Sequence, residues 1–509
     1  MARMTLVEIN DFSGMLNLRD AAYKLRPNEA RDIRNIIASP SGEARLRGGY
    51  DLWGDTKSGA PVRGIHRFYT PTLTHLLAAS GTGIYVDTGS GTFIDVIARD
   101  LPEERRTPDQ PHRFATWDYK QECYAVNGAD APIRWNGQEA SVVPGAPVGA
   151  QHVLVYANRL WMGNLGFPGG PTTLRWSALG NPDDWPAENV LETSQPITGL
   201  LGGFGTTPSV WSQAPAGQLW IFEPGRIEVL IGDGGRETTL GFRTVVDGIG
   251  CVAPNTLAVW GGYAFFLADD GVYRFDGRRV QSISDKLGKL LRDTPAYLRQ
   301  KAWGAVSEGR YWLSIPTAEA SENSVIYVYD LMDGWWTRFT EIQAVSLFGT
   351  PGNPTESLDI LWGDASGRVW RYRPDSREDA RIPPNPGKPI VGYWKSGVFI
   401  PEKGHIFQFR HLRFQIKTSE GDTWINYFVD SNEASGSYQF SARTPAESRW
   451  DSMLWDQGLW ASTRQERHVY KGDFPMRARG RAIEFELTMQ GDGGWQSLQV
   501  LGYPVRELR

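Results

Sequence analysis

The 509-residue chain sets 53 Lys and Arg against 58 Asp and Glu, a net charge of −5, which is not the strongly basic balance of a protein dedicated to gripping nucleic acid. Its 57 Gly, 32 Pro and 21 Trp argue for short strands and turns rather than long helices. No run of eighteen apolar residues occurs and MARMTLVEIN lacks a signal-length apolar segment, so a soluble chain made in the cytoplasm, without a membrane segment, is expected.

From the N-terminus, residues 1–50 are expected to form an arm and a ring-closing strand. Within "RPNEARDIRNIIASPSGEARLRGGY", Pro27-Asn28 reads as a start signal for a short helical stretch over Glu29 to Ile37. Ser41-Gly42 then turns into "EARLRGGY", a strand able to join and close a ring.

Alternation dominates residues 51–373. "HLLAASGTGIYVDTGSGTFIDV" (75–96) gives three strands separated by Gly turns, and "ECYAVNGADAPIRWNG" (122–137) repeats that order. Five further copies follow: "HVLVYANRLWMGN" with "TTLRWSALG", "QLWIFEPGRIEVLIG", "LAVWGGYAFFLADDGVYRFDG", "GRYWLSIP" with "SVIYVYDLMDGWWTRF", and "LDILWGDASGRVWRYR". The spacing averages about 47 residues, the period of propeller blades. One such sheet cannot bury both faces alone, whereas radial stacking hides both. The predicted fold is all-β, a β-propeller of about seven blades followed by a β-sandwich-like domain.

Residues 374–392 are polar and Pro-rich and are expected as a linker. In 393–509, "HIFQFRHLRFQIKT", "TWINYFVD", "RAIEFELTMQ" and "WQSLQVLGY" alternate as four strands of a β-sandwich-like domain, with "SEGDTW" (419–424) as a hairpin turn. Trp450, Trp455 and Trp460, spaced by five, share no helix or strand face. They are expected on a long ordered loop over the sheet, and they are the candidate interaction surface.

Catalytic signatures are missing: no GxSxG, HExxH, P-loop or strand–GxGxxG–helix occurs. None of the seven His forms an HxH or HxxxH pair; His405 and His411 on one strand lie roughly 20 Å apart, too far to share a metal. Asp269-Asp270-Gly271 and Asp276-Gly277 sit where hairpins reverse, as do Thr82-Gly83, Asn127-Gly128, Asn136-Gly137, Asp333-Gly334 and Ser366-Gly367. A slot that tolerates Asp, Asn, Thr or Ser is chosen for geometry. Glu223, Asp247, Asp269, Asp364 and Glu486 lie within or beside strands, but sequence pairs no two of them into a hydrolytic couple. Cys123 and Cys251 are expected as buried free thiols. No catalytic residue, cofactor or metal is assigned.

Four passages carry a family resemblance: "GMLNLRDAAYKLRPNEARDIRNIIASPSGEARLRGGY", "AVNGADAPIRWNG", "ANRLWMGNLGFPGGPTTLRWSALGNPDDW", and the β-rich block after the Pro-rich stretch. On these the chain resembles the β-propeller tail proteins of bacteriophages, the group of tail nozzle (tail tubular) and neck stabilisation proteins. The resemblance implies a non-enzymatic virion protein of the tail or neck, assembled in the host cytoplasm. It implies a homo-oligomeric ring, commonly sixfold, below a portal or head–tail adaptor. DNA would pass through the ring during ejection without sequence-specific binding, and other tail or fibre proteins would attach. Two alternatives stay open: a carbohydrate- or receptor-binding tail module using Trp450, Trp455 and Trp460, and a propeller-type glycoside hydrolase.

Overall fold

A computed structural model describes residues 4–96, 106–202, 218–231, 240–287, 291, 294–317, 320–349, 360–430, 434–442 and 468–505. The chain divides into two compact units, one of Leu52–Val328 and Glu341–Tyr372, the other of Met1–Asp51, Tyr329–Thr340 and Arg373–Arg509. The first unit is therefore inserted, in sequence, into the second.

Seven four-stranded antiparallel sheets follow one another along the chain, and their first strands lie side by side around an axis. They begin at Val62–Tyr69, Arg113–Trp117, His152–Tyr156, Gly199–Gly202, Ala258–Trp260, Trp303–Ser307 and Ser346–Gly349, and we number them blades 1 to 7. This is a seven-bladed β-propeller, as the repeat predicts. Apolar layers form between neighbouring blades: Leu77, Ile84 and Cys123 join blades 1 and 2, Tyr124, Val153 and Leu160 join 2 and 3, and Trp161, Trp176 and Ile221 join 3 and 4. Phe222, Phe266 and Phe275 pack blades 4 and 5, Phe265 stacks on Tyr311 at 5.6 Å between 5 and 6, and Trp312 meets the edge of Tyr372 at 5.0 Å between 6 and 7. Broad rings suit this position because each fills the roughly 10 Å gap between two packed sheets. Much of the Trp excess is explained here.

Blade 7 has three strands from the end of the propeller sequence; its fourth is Gly49–Asp55 from the N-terminal side. The sequence places the closing strand at 43–50. In the structure Ala44–Leu46 pairs instead with Ile36–Ala38, and the next strand closes the ring. Backbone bonds from Thr56 N to Gly367 O (2.9 Å) and Val62 N to Asp364 O (3.0 Å) flank the seam. The Trp53 indole is in contact with the guanidinium groups of Arg371 (4.9 Å) and Arg67 (5.7 Å) and donates to Asp87 Oδ2 at 2.8 Å.

The second unit is a ten-stranded sheet built on two long strands, Ile406–Val429 of 24 residues and Ile483–Val505 of 23. Fully extended, each would span roughly 80 Å, several times the usual strand. They do not stay straight. Their register shifts between Thr418 and Gly421, where Gly421 at φ +152° faces Gly491 and a Cβ would strike the Gln490 carbonyl. The bend folds one half of the sheet onto the other, so Phe414 meets Phe440 at 5.8 Å and Phe474 stacks on Tyr438 at 4.4 Å. "SEGDTW" is thus the bend of a continuous strand rather than a hairpin turn, because both long strands keep pairing through it. A sandwich-like core results, with Phe12 between Trp394 and Trp495.

Two other expectations change. Glu29–Arg34 is a strand paired with Val391–Ser396, not a helix, since pairing buries Ala30 and Ile33. The Pro-rich stretch 374–392 is folded: Glu378–Asp379 pairs with Lys388–Pro389. Asp379 there accepts both terminal nitrogens of the fully buried Arg47, whose Nε donates to Asn35 Oδ1 at 2.9 Å and whose Nη1 donates to Gly48 O at 2.8 Å. A buried guanidinium requires such saturation, because an unpaired one costs several kcal/mol. Arg47→Ala is expected to destabilise by about 3–5 kcal/mol in urea unfolding, and Arg47→Met with Asp379→Leu to recover part of that loss.

Candidate functional site

Several propeller carboxylates turn inward on their own loops, Asp276 and Asp364 of the sequence shortlist among them. Asp87 Oδ1 accepts the amides of Gly89, Ser90 and Gly91 at 3.0, 2.9 and 2.9 Å, while its other oxygen takes the Trp53 indole. Asp364 repeats the device: Oδ1 accepts Ser366 N (2.8 Å) and Arg368 N (3.0 Å), and Oδ2 accepts Trp370 Nε1 (2.9 Å). Asp276 Oδ1 accepts the Arg278 and Arg279 amides at 2.8 Å each, ahead of Gly277 at φ +88°. Partial burial opposes the ionised form, but those amides and the Arg279 charge win and hold Asp276 below the usual carboxylate range. Asn127, Asn136 and Asp330 cap following amides in the same way. Asp330, three residues ahead of the expected Asp333-Gly334, is the cap of the sixth copy. Asp269 pairs instead with Arg299 at 2.8 Å, and Asp270 accepts from the Tyr273 hydroxyl at 2.9 Å.

Two members of the sequence shortlist, Asp247 and Glu223, are linked through Arg226 and Ser194. In blade 4, Asp247 pairs with Arg226 at 3.3 Å, and Arg226 lies 3.8 Å from Glu228 and donates to Ser194 Oγ at 2.8 Å. Ser194 donates to the fully buried Glu223 at 3.2 Å. Burial, with the Glu228 charge beside it, raises the Glu223 pKa. Hydrolysis by paired acids needs two carboxyl groups facing a shared cleft. Here Asp247 is paired with Arg226, which also lies beside Glu228, so the guanidinium offsets part of the negative charge at the hairpin.

Glu486 of the other unit pairs with Lys395. His405 precedes the long strand, and His411 Nδ1 contacts Asp473 Oδ1 at 2.6 Å. Both thiols are buried and free, and burial pushes Cys251 up to about 12. Trp450, Trp455 and Trp460 lie outside the described residues. Among the described residues, no group of three or more His, Cys, Asp or Glu is placed to hold a metal ion, and no helix is long and apolar enough to cross a membrane.

The propeller axis is bridged. Arg113 on the first strand of blade 2 donates to Asn255 Oδ1 at 2.5 Å, just before the first strand of blade 5 on the opposite side, and also to Gln151 O at 2.7 Å. Burial lowers Arg113 to about 10, and burial together with the Arg113 charge pushes His152 well down. Sequence reasoning missed this bridge. It also missed an outward basic row on His468–Gly480, although Lys471, Arg477 and Arg479 share the same alternation parity there.

No family model matches the chain, and no curated protein matches it. Among solved structures it is similar to "YCF48 bound to D1 peptide", with TM-score 0.39, 10% identity, and coverage of 67% of this chain and 98% of that one. It is also similar to YCF48 from Cyanidioschyzon merolae, with TM-score 0.39, 11% identity, and coverage of 67% and 99%. The propeller is evident in the seven sheets themselves.

Buried histidines make the fold acid-sensitive. His112 is buried beside blade 1, and burial lowers it to about 4 against a carbonyl contact from Gln110 that opposes the shift. Its pKa lies below the unfolded value, so the stability tied to neutral His112 is intact above pH 6.5 and lost as pH falls toward 4. Urea unfolding between pH 7 and 4.5 should show that decline. His112→Gln should make it shallower by about 1.4 kcal/mol per pH unit.

Proposed function

We propose that this chain is a structural, non-enzymatic component of a bacteriophage tail or neck, one copy of a ring below the portal through which DNA is ejected. The observation that carries this reading is the use of the propeller carboxylates: Asp87, Asp276 and Asp364 hold turns, and Asp247 and Glu228 both lie against Arg226. Those side chains maintain shape, which is what a ring subunit needs. The four passages that resemble phage propeller tail proteins supply the setting. The Arg113–Asn255 bridge across the propeller axis adds a constraint: a DNA path would have to be enclosed by several copies around a common axis, not by one propeller. Closed symmetry lets one chain build such a conduit through two different patches of its own surface.

A mass-spectrometric inventory of purified particles of the phage encoding the chain tests this reading. It should find the protein at a fixed, low copy number in a ring-forming range. Particles of normal composition without it would overturn the reading.

One surface favours the receptor-binding alternative. Trp260 and Tyr263 pair across a hairpin tip, 41% and 36% exposed, with Arg274 stacked 5.2 Å from the Tyr263 ring. Paired exposed rings beside a cation suit stacking on a sugar face. If that reading holds, wild type gives signal on a glycan array and Trp260→Ala loses at least tenfold of it with the unfolding midpoint unchanged. A blank array for wild type removes this second reading.

A further inference from the structure

The bend in the long strands separates two halves of the second unit that differ in charge. The half containing 406–418, His468–Gly480, 493–505 and Met4–Ile9 holds Arg410, Arg413, Lys417, Lys471, Arg477 and Arg479 against Asp473 and Glu8. That is a net +4 in a chain whose total is −5. Sheet alternation puts Lys471, Asp473, Arg477 and Arg479 on one exposed face, while Met476 and Ala478 point into the core. Arg413 stands opposite Asp473, and Gln415 opposite Lys471, on the same face.

Both carboxylates of this face are already engaged. Asp473 takes His411 and, at 3.0 Å, Arg413 Nε, and Glu8 accepts from Gln499 at 2.8 Å. Among the described residues, Lys471, Arg477 and Arg479 have no ion-pair partner. Between the strands, small side chains leave a groove of about 370 Å³ lined by Arg413, Gln415, Lys471, Asp473, Ser497 and Gln499. The remaining Arg413 nitrogens, the Lys471 ammonium and the Gln415 amide are donors at this groove.

From Lys471 to Arg479 the outward row runs roughly 27 Å along the strand, with positions about 6.7 Å apart. A single small anion would need only the groove; a row of this length fits an extended polyanion. A protein partner would want buried aromatic or aliphatic anchors at the centre of the contact. Between Lys471 and Arg479 the outward positions offer only Asp473, Pro475 and Arg477. A phosphodiester backbone needs no such anchor, since its affinity comes from counterion release and guanidinium groups fit phosphate bidentately. The geometry points to this face as a binding surface for the backbone of duplex DNA, with Lys471, Arg413, Arg477 and Arg479 contacting phosphates without reading sequence. Charged residues on an outer strand also discourage edge-to-edge aggregation, and the test separates that role from binding. The inference stands apart from the tail-component reading, because it concerns what the face binds and not where the protein resides.

The test uses the full chain and a fluorescein-labelled 24-base-pair duplex of arbitrary sequence, followed by polarisation from 25 to 200 mM NaCl. Binding should be indifferent to sequence, with a log–log salt slope of about −3.6 for four phosphate contacts. Lys471→Glu, Arg477→Glu and Arg479→Glu together should lower affinity at least tenfold at 100 mM salt and flatten the slope by about 2.7. Glutamates keep the strand edge charged, so aggregation protection alone predicts no change in DNA binding, provided the unfolding midpoint is preserved. The inference is overturned if wild type does not bind at 25 mM salt, or if the folded triple variant binds as tightly as wild type. It is equally overturned if polyglutamate of matched charge displaces the duplex as well as unlabelled DNA does, or if anionic vesicles bind where DNA does not.

Discussion

The propeller depends on one junction, where Gly49–Asp55 completes the sheet begun by Ser346–Gly349, Ile360–Gly363 and Arg368–Arg373. A ring of sheets has no covalent reason to close. Without that strand, blade 7 would present an unpaired edge and the layer of Val62, Leu76, Leu361 and Val369 would lose its cover. Trp53 concentrates the junction in one side chain, its ring contacted by Arg371 of blade 7 and Arg67 of blade 1 and its indole nitrogen by Asp87 of blade 1. Each blade is a small sheet of modest core, so its stability comes mainly from the neighbours it packs against.

Closure also frames the polar chemistry. An interblade layer can be apolar only if the turns carry the hydrogen-bonding load at its rims, and Asp87, Asn127, Asn136, Asp276, Asp330 and Asp364 do so by accepting amides from the residues that follow. Such a carboxylate or amide satisfies backbone donors that would otherwise lose water without replacement. The same residues would look like catalytic or calcium-binding candidates if read one at a time. In blade 4, where acids do gather, Arg226 pairs with two of them and offsets part of their charge.

The repeat was legible in the sequence because its signals are local: alternation with period two, and Asx-Gly pairs at reversals. All seven copies fall in the seven sheets in order. What was not legible depends on distant partners. Glu29 to Ile37 has the start signal of a helix, yet the open edge of Val391–Ser396 captures it as a strand. "SEGDTW" has turn composition, but continuous pairing with the other long strand makes it a bend. The Pro-rich stretch looks like a linker until Arg47 arrives from more than three hundred residues away to bind Asp379. The Arg113–Asn255 contact is equally nonlocal. The cations on His468–Gly480 all fall at odd-numbered positions, a parity readable in the sequence, and its meaning came only when sheet pairing showed which face they share.

Native-state hydrogen exchange across the junction tests the dependence of the propeller on its closing strand most directly. Amides of Gly49–Asp55 and Arg368–Arg373 should open together, with the same free energy as the interior strands of blades 1 and 7. Exchange of Gly49–Asp55 orders of magnitude faster, with those blades still fully protected, would contradict the account.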